Sequence, residues 1–162
     1  MKQPKINIPK TRIETVFDAI GITVYILLII YLITQYSALP DKVPGHFNAA
    51  GEADRWGSKM ELFILPVIGA VLWLFLSVLE KYPHTFNYFN LREDNIAAQY
   101  KNGRLMINIL KNEIIFFFSY IAYQMIQSAK GVSDGLGTAF LPVFLMVIVG
   151  TTIAFTLRML KL

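Results

Sequence analysis

The side chains best suited to chemistry lie in one polar segment, Leu39 to Lys59, which reads LPDKVPGHFNAAGEADRWGSK. It gathers His46, Asn48, Asp54, Arg55, Trp56 and Lys59 between two apolar stretches. A histidine and a nearby aspartate can act as a base and its orienter. With Lys59 holding an anionic substrate, that set describes a membrane enzyme, although no nucleophile motif lies nearby. The same residues also describe a recognition surface, or an ionic network that only folds the segment. Metal binding is poorly supplied: His46, Glu52 and Asp54 offer ligands, but no HExxH-type spacing exists. Cysteine is absent, which excludes disulfides and thiolate metal sites. No cofactor is called for.

A second polar set lies inside an apolar run. At 100° per residue, Glu113, Tyr120, Gln124 and Gln127 share one helical face. Arg104, Asn108 and Lys111 cluster on nearly the opposite face. A carboxylate within a membrane span costs a few kcal/mol unless paired, protonated or wetted. The Glu113 stripe is therefore expected to face the bundle interior, either as a structural hydrogen bond or as a proton or ion path. Lys111 is expected to snorkel to the headgroups.

The elements that position these residues are membrane helices. The chain has 162 residues, 55% of them apolar and 16% charged, against about 25% charged in ordinary soluble domains. Four apolar runs approach the roughly 20 residues needed to cross a bilayer: 19–36, 62–79, 105–126 and 136–157. The loop 37–60 separates the first two, and the loop 80–104 separates the second and third. The fold expected is all-α, one domain over 1–162: an antiparallel four-transmembrane-helix bundle. It carries a structured outer loop and an inner amphipathic helical extension, and sequential spans are natural neighbours.

Capping signals mark the helix starts. Thr11 with Glu14, Ser58 with Glu61 and Asn90 with Glu93 each read as a capping box. Ser133 or Asp134 can cap the fourth helix. Leu39–Pro40 and Val43–Pro44 impose extended or turned backbone. Trp56 has the composition of an interfacial anchor.

Charge sets the topology. Lys2, Lys5, Lys10, Arg12, Lys81, Arg92, Lys101, Arg104, Arg158 and Lys161 fall on one side of the spans. Lys42, Arg55, Lys59 and Lys130 fall on the other. The positive-inside rule places both termini in the cytoplasm and the Leu39–Lys59 loop outside. The net charge of +4 is thus a topology signal, with membrane lipid and not nucleic acid as the partner. The first run is longer than a signal-peptide core and lacks a small-x-small cleavage site, so it reads as a retained anchor.

The outer segment resembles the bacterial membrane family called domain of unknown function 1648. Its hallmark is matched at Leu39, Pro40, Val43, Pro44, His46, Phe47, Asn48, Gly51, Asp54, Trp56, Gly57, Ser58 and Lys59. The inner loop resembles the short four-span members at Asn87, Tyr88, Asn95, Gln99, Tyr100, Arg104 and Lys111. The same domain occurs in larger SdpI-type immunity proteins, which protect bacteria from a secreted toxic peptide and sequester a repressor. This chain lacks the additional spans of those proteins.

The resemblance implies a multi-pass protein of the bacterial cell membrane with a recognition, immunity or signalling role. Candidate ligand-binding residues are His46, Asn48, Asp54, Trp56 and Lys59. Candidate intramembrane polar residues are Glu113, Tyr120 and Gln124, and Asn87, Asn95, Tyr100 and Arg104 form the inner-loop motif. Partners expected are an extracellular peptide or envelope ligand, and a membrane or cytoplasmic protein. Transport through the polar stripe is the alternative. It requires a homo-oligomer, since four spans are few for a pathway.

Overall fold

The computed structural model describes residues 3–162; Lys2, counted above among the basic residues, lies outside the described residues. Among the described residues, four helices are long and apolar enough to cross a membrane. The first, α1 (Arg12–Tyr36), starts at the expected capping box. The Thr11 amide donates to Glu14 Oε2 at 2.6 Å, and the Glu14 amide donates to Thr11 Oγ1 at 3.3 Å. That closes two of the amides a helix start leaves open.

The outer loop is a β-hairpin of β1 (Lys42–Phe47) and β2 (Ala53–Ser58). The register runs from Lys42 opposite Ser58 to Phe47 opposite Ala53, with irregularities at Gly45 and Asp54. Asn48 builds the turn: its Oδ1 accepts from the amides of Ala50 and Glu52 at 2.9 and 3.0 Å. Gly51 follows at φ +80°, a conformation that favours glycine. Ser58 then caps a short 3₁₀ turn, Lys59–Phe63, through the Met60 amide. That turn leads into α2 (Ile64–Leu79).

Two helix starts differ from expectation. The third helix, α3 (Ile96–Ala129), begins after Asn95 and not at Asn90. Asn90 sits at φ +55°, so the chain turns there, and Asn95 Oδ1 takes the Arg92 amide at 2.8 Å. The fourth helix, α4 (Phe140–Lys161), has no side-chain cap. Ser133 instead donates to Gln124 Oε1 at 3.1 Å. Gly135 and Gly137, both at positive φ, carry the loop onto the hairpin, where the Leu136 amide donates to Gly51 O at 2.7 Å.

α3 is the hub. α1, α2 and α4 each pack chiefly on it, so α1 and α2 are neighbours of α3 first and of each other second. Along the chain direction, α1 and α3 run parallel. At 34 residues α3 is about 50 Å long, well beyond a hydrocarbon layer of about 30 Å. Both described termini lie at its N-terminal end: Tyr100 donates to Pro4 O, and Asn95 donates to Leu162 O.

The interior is divided by chemistry. Beside the hairpin, Leu32, Leu39, Val43, Leu62, Met125 and Ile126 form the apolar core. Toward the termini, the buried side chains include Glu14, Asp18, Glu80, Arg104, Asn108, Lys111 and Asn112. Arg104 clamps the N-terminal segment to α1: it donates to both Glu14 oxygens, at 2.6 and 3.0 Å, and to the carbonyls of Ile8 and Pro9.

Removing one partner of a buried ion pair strands the other, at a cost of about 3–5 kcal/mol. Arg104→Met is therefore expected to lower the melting temperature in detergent sharply. A double Glu14→Gln, Arg104→Gln variant is expected to lose less. A melt unchanged by Arg104→Met would remove this pair from the determinants of the fold.

Candidate functional site

The hairpin roofs a groove of about 400 Å³. Its polar rim is His46, Arg55 and Glu61, and its apolar wall is Phe47, Ile64, Leu65, Ile121, Met125, Leu136 and Phe140. The rim is tied from below: Arg55 donates to Glu61 at 3.1 and 2.7 Å and to Gly45 O at 2.6 Å. This two-pronged contact has the geometry in which arginine binds a carboxylate most specifically. It also explains the small residue at 45, since a Cβ on Gly45 would lie 2.6 Å from Arg55 Nη2. Arg55 was noted in the sequence, but Glu61 read there only as half of a capping box.

The other hairpin residues separate into distinct roles. His46 Nδ1 lies 2.6 Å from Asp54 Oδ1, as a base and its orienter would, with both side chains solvent-exposed. Asn48 is occupied by the turn and by Glu52, to which its Nδ2 donates at 3.0 Å. Trp56 is half-exposed opposite Pro44. Lys59 sits at the base of the hairpin, 3.4 Å from Asp41 and over the Tyr36 ring. Four strand residues, roughly 13 Å, separate its level from that of His46. His46 and Asp54 thus meet, whereas Lys59, which would hold an anionic substrate, lies apart from them.

The polar side chains of α3 reverse the expected facing. Lys111 does not snorkel: it is 1% exposed, 2.7 Å from Glu80 and 3.0 Å from Asp18, and donates to Ser77 at 2.9 Å. Its ammonium also lies 4.5 Å from the Trp73 ring centre. Asn108 Nδ2 donates to both carboxylates, at 2.8 and 3.2 Å. Asn112 Nδ2 donates to Asp18 and its Oδ1 accepts from Trp73 Nε1 at 3.1 Å. Lys10 completes the pairing of Asp18 from the N-terminal segment. Burial pushes the Glu80 carboxyl above the ordinary range, and Lys111 pulls it back.

The reason for the reversal lies on other helices: Asp18 of α1 and Glu80 at the end of α2 supply the countercharges. Neither appeared in a reading of α3 alone. The signal was nevertheless present, as single acids at the edges of two apolar runs on the same side as Lys111.

The opposite stripe disperses. Glu113 accepts from Thr151 of α4 at 2.6 Å, which is the structural hydrogen bond between spans. Tyr120 and Gln124 serve the α3–α4 loop: Gln124 donates to the Tyr120 hydroxyl at 2.9 Å. Gln127 reaches the Tyr31 hydroxyl on α1 at 2.6 Å. In the inner-loop motif, Asn95 and Gln99 hold Leu162 and Met159 carbonyls, and Tyr100 holds the Pro4 carbonyl, while Asn87 is exposed. No group of three or more metal-ligating side chains occurs among the described residues.

Residues 23–70 match the family model described as domain of unknown function (DUF1648). That stretch covers most of α1, the whole hairpin and the first part of α2. An uncharacterized protein of Archaeoglobus fulgidus is 38% identical over 76 residues, 47% of this chain and 42% of that relative. The chain therefore spans less than half the length of the relative it matches. No solved structure matches it. The matched stretch holds the groove's polar rim, whereas Glu80 and Lys111 of the ionic cluster lie outside it.

A Cβ on Gly51 would lie 2.4 Å from the Gly137 carbonyl oxygen, in addition to its unfavourable φ. Gly51→Ala is expected to cost about 1–3 kcal/mol locally and to undock the α3–α4 loop from the hairpin tip. Hydrogen exchange should then quicken at the Leu136 amide and stay slow at Ile126. Unchanged protection at Leu136 would mean that the loop does not depend on this contact.

Proposed function

We propose that this multi-pass membrane protein is a non-enzymatic recognition protein that binds an amphipathic ligand under its hairpin. The hairpin faces outward and both termini face the cytoplasm of the cell that carries it. The observation that carries the reading is the groove itself. Its rim combines a histidine, an arginine and a carboxylate, while its walls are apolar side chains of α2, α3 and α4. A peptide with one charged and one apolar face, or an envelope amphiphile, meets both surfaces at once. An immunity or signalling role follows naturally from such capture. The hairpin docks on the α3–α4 loop through Gly51 and Leu136, so a ligand in the groove touches the helices that lead inward.

The acid–base reading is weaker, because Lys59 turns away from His46. The transport reading is weaker too, because the stripe residues bond to three different neighbours.

The chain has no native cysteine, so single cysteines report cleanly. A cysteine at Leu136 is expected to react with a membrane-impermeant maleimide on intact cells. Cationic amphipathic peptide, or a lipid extract of the cell envelope, should shield it at saturation. Arg55→Ala and His46→Ala are expected to abolish the shielding at unchanged protein level, whereas Lys59→Ala, outside the groove, should retain it. Shielding by neither probe, or shielding indifferent to Arg55 and His46, would reject the groove as the recognition site.

A further inference from the structure

A second opening lies at the other end of the molecule, independent of the hairpin. It is a cavity of about 390 Å³ between the N-terminal segment, α1, α2 and α3. Its lining contains four cations (Lys10, Lys81, Arg104 and Lys111) and two carboxylates, Asp18 and Glu80. Glu14, behind the lining, neutralises Arg104, which leaves the site with one net positive charge. Lys111 is fully engaged inside. Lys81, at the exit of α2, has no ion-pair partner among the described residues.

A second, apolar opening adjoins the cavity at one residue. One wall of the cavity is Trp73, and Trp73 also lines an almost wholly apolar groove of about 220 Å³ between α1 and α2. Gly21, Ile22 and Tyr25 form one side of that groove, with Ala70 and Leu74 on the other. Depth follows from helix rise. Leu79, the last residue of α2, lies about 9 Å along the helix from Trp73, and Lys81 follows in the turn beyond it, while Ala70 lies deeper. The indole separates the two environments: its Nε1 donates to Asn112 and its face meets the Lys111 ammonium.

We infer that this cavity and groove together form a binding site for one anionic phospholipid. The phosphate sits at the mouth beside Lys81 and Lys10, and one acyl chain lies between α1 and α2 against Trp73. A basic pocket between membrane helices at headgroup depth is a recurring form of lipid site. The apolar groove supplies what a free anion would not use. The buried carboxylates oppose a second negative charge deeper in the cavity, so the phosphate stays at the mouth.

Trp56 and Trp73 are the chain's two tryptophans. In a Trp56→Phe background, emission reports Trp73 alone. The purified protein in detergent is titrated with phosphatidylglycerol brominated in its chains, and separately with the matching phosphatidylcholine. Quenching by the anionic lipid is expected to saturate at one lipid per chain, about tenfold more tightly than by the zwitterionic lipid. Lys81→Gln should reduce that preference, and Ala70→Leu, which fills the groove, should remove the saturable quenching while melting normally. Excess inorganic phosphate should not displace the lipid.

Quenching that never saturates and ignores the headgroup would mean only boundary lipid is present, and would overturn the assignment. So would full displacement by inorganic phosphate, which would make this a free-anion site. Saturable quenching that survives Ala70→Leu would likewise refute the acyl-chain groove.

Discussion

The rest of the structure depends on one contact: the ammonium of Lys111 held between the carboxylates of Asp18 and Glu80. A charge at that depth is tolerated only when paired and fully hydrogen-bonded. The pairing needs an acid from α1 and an acid from the end of α2, so it sets the rotation of both helices about α3. Asn108 and Asn112 fill the remaining polar positions along the same face. The close approach at Gly21 belongs to the same arrangement, since a Cβ there would meet Asn112 Oδ1 at 2.1 Å. Apolar packing alone would leave these rotations poorly defined, because lipid tails and leucine side chains are nearly equivalent partners.

The two ends of the molecule are therefore held by different physics. Near the hairpin, Val43, Leu39 and Leu62 bury apolar surface with Met125 and Ile126 of α3. There His46, Asn48 and Arg55 bond to partners in the hairpin or the turn after it. Near the termini, order comes from ions and amides, including carbonyls of the N- and C-terminal segments captured by Arg104, Tyr100, Asn95 and Gln99. A groove with free walls persists at the hairpin end because its apolar wall needs no partner and its polar rim already has one. α4 contributes least to either core, with little burial along its apolar length.

Local signals in the chain were legible, and non-local ones were not. The Thr11–Glu14 box, the four spans and the extended backbone at Val43–Pro44 follow from residues within a few positions of each other. Asn90 misled because Asn, Asp and Gly serve turns as readily as helix starts; the contact that decides between them, with Asn95, lies in the turn itself. His46 and Asp54 could be paired from sequence as neighbours in one short loop. The β-hairpin that joins them was not read there, because its strands lack a clear alternation of apolar and polar residues. Lys111 could not be placed, because its partners lie 93 and 31 residues away on other helices. Arg55 with Glu61 fell between these cases: near in sequence, yet joined only once β2 and the 3₁₀ turn bend toward each other.

One consequence of the long third helix is mechanical. α3 runs without interruption from the clamp on the N-terminal segment to the loop docked on the hairpin tip. It has no proline, and its one glycine, Gly103, lies near the clamped end. Such a rod has little compliance of its own. A tilt of about 5° at one end displaces the other by about 4 Å over its length of about 50 Å. The hairpin groove and the ionic cavity thus sit at opposite ends of a single lever, with the helix itself as the linkage.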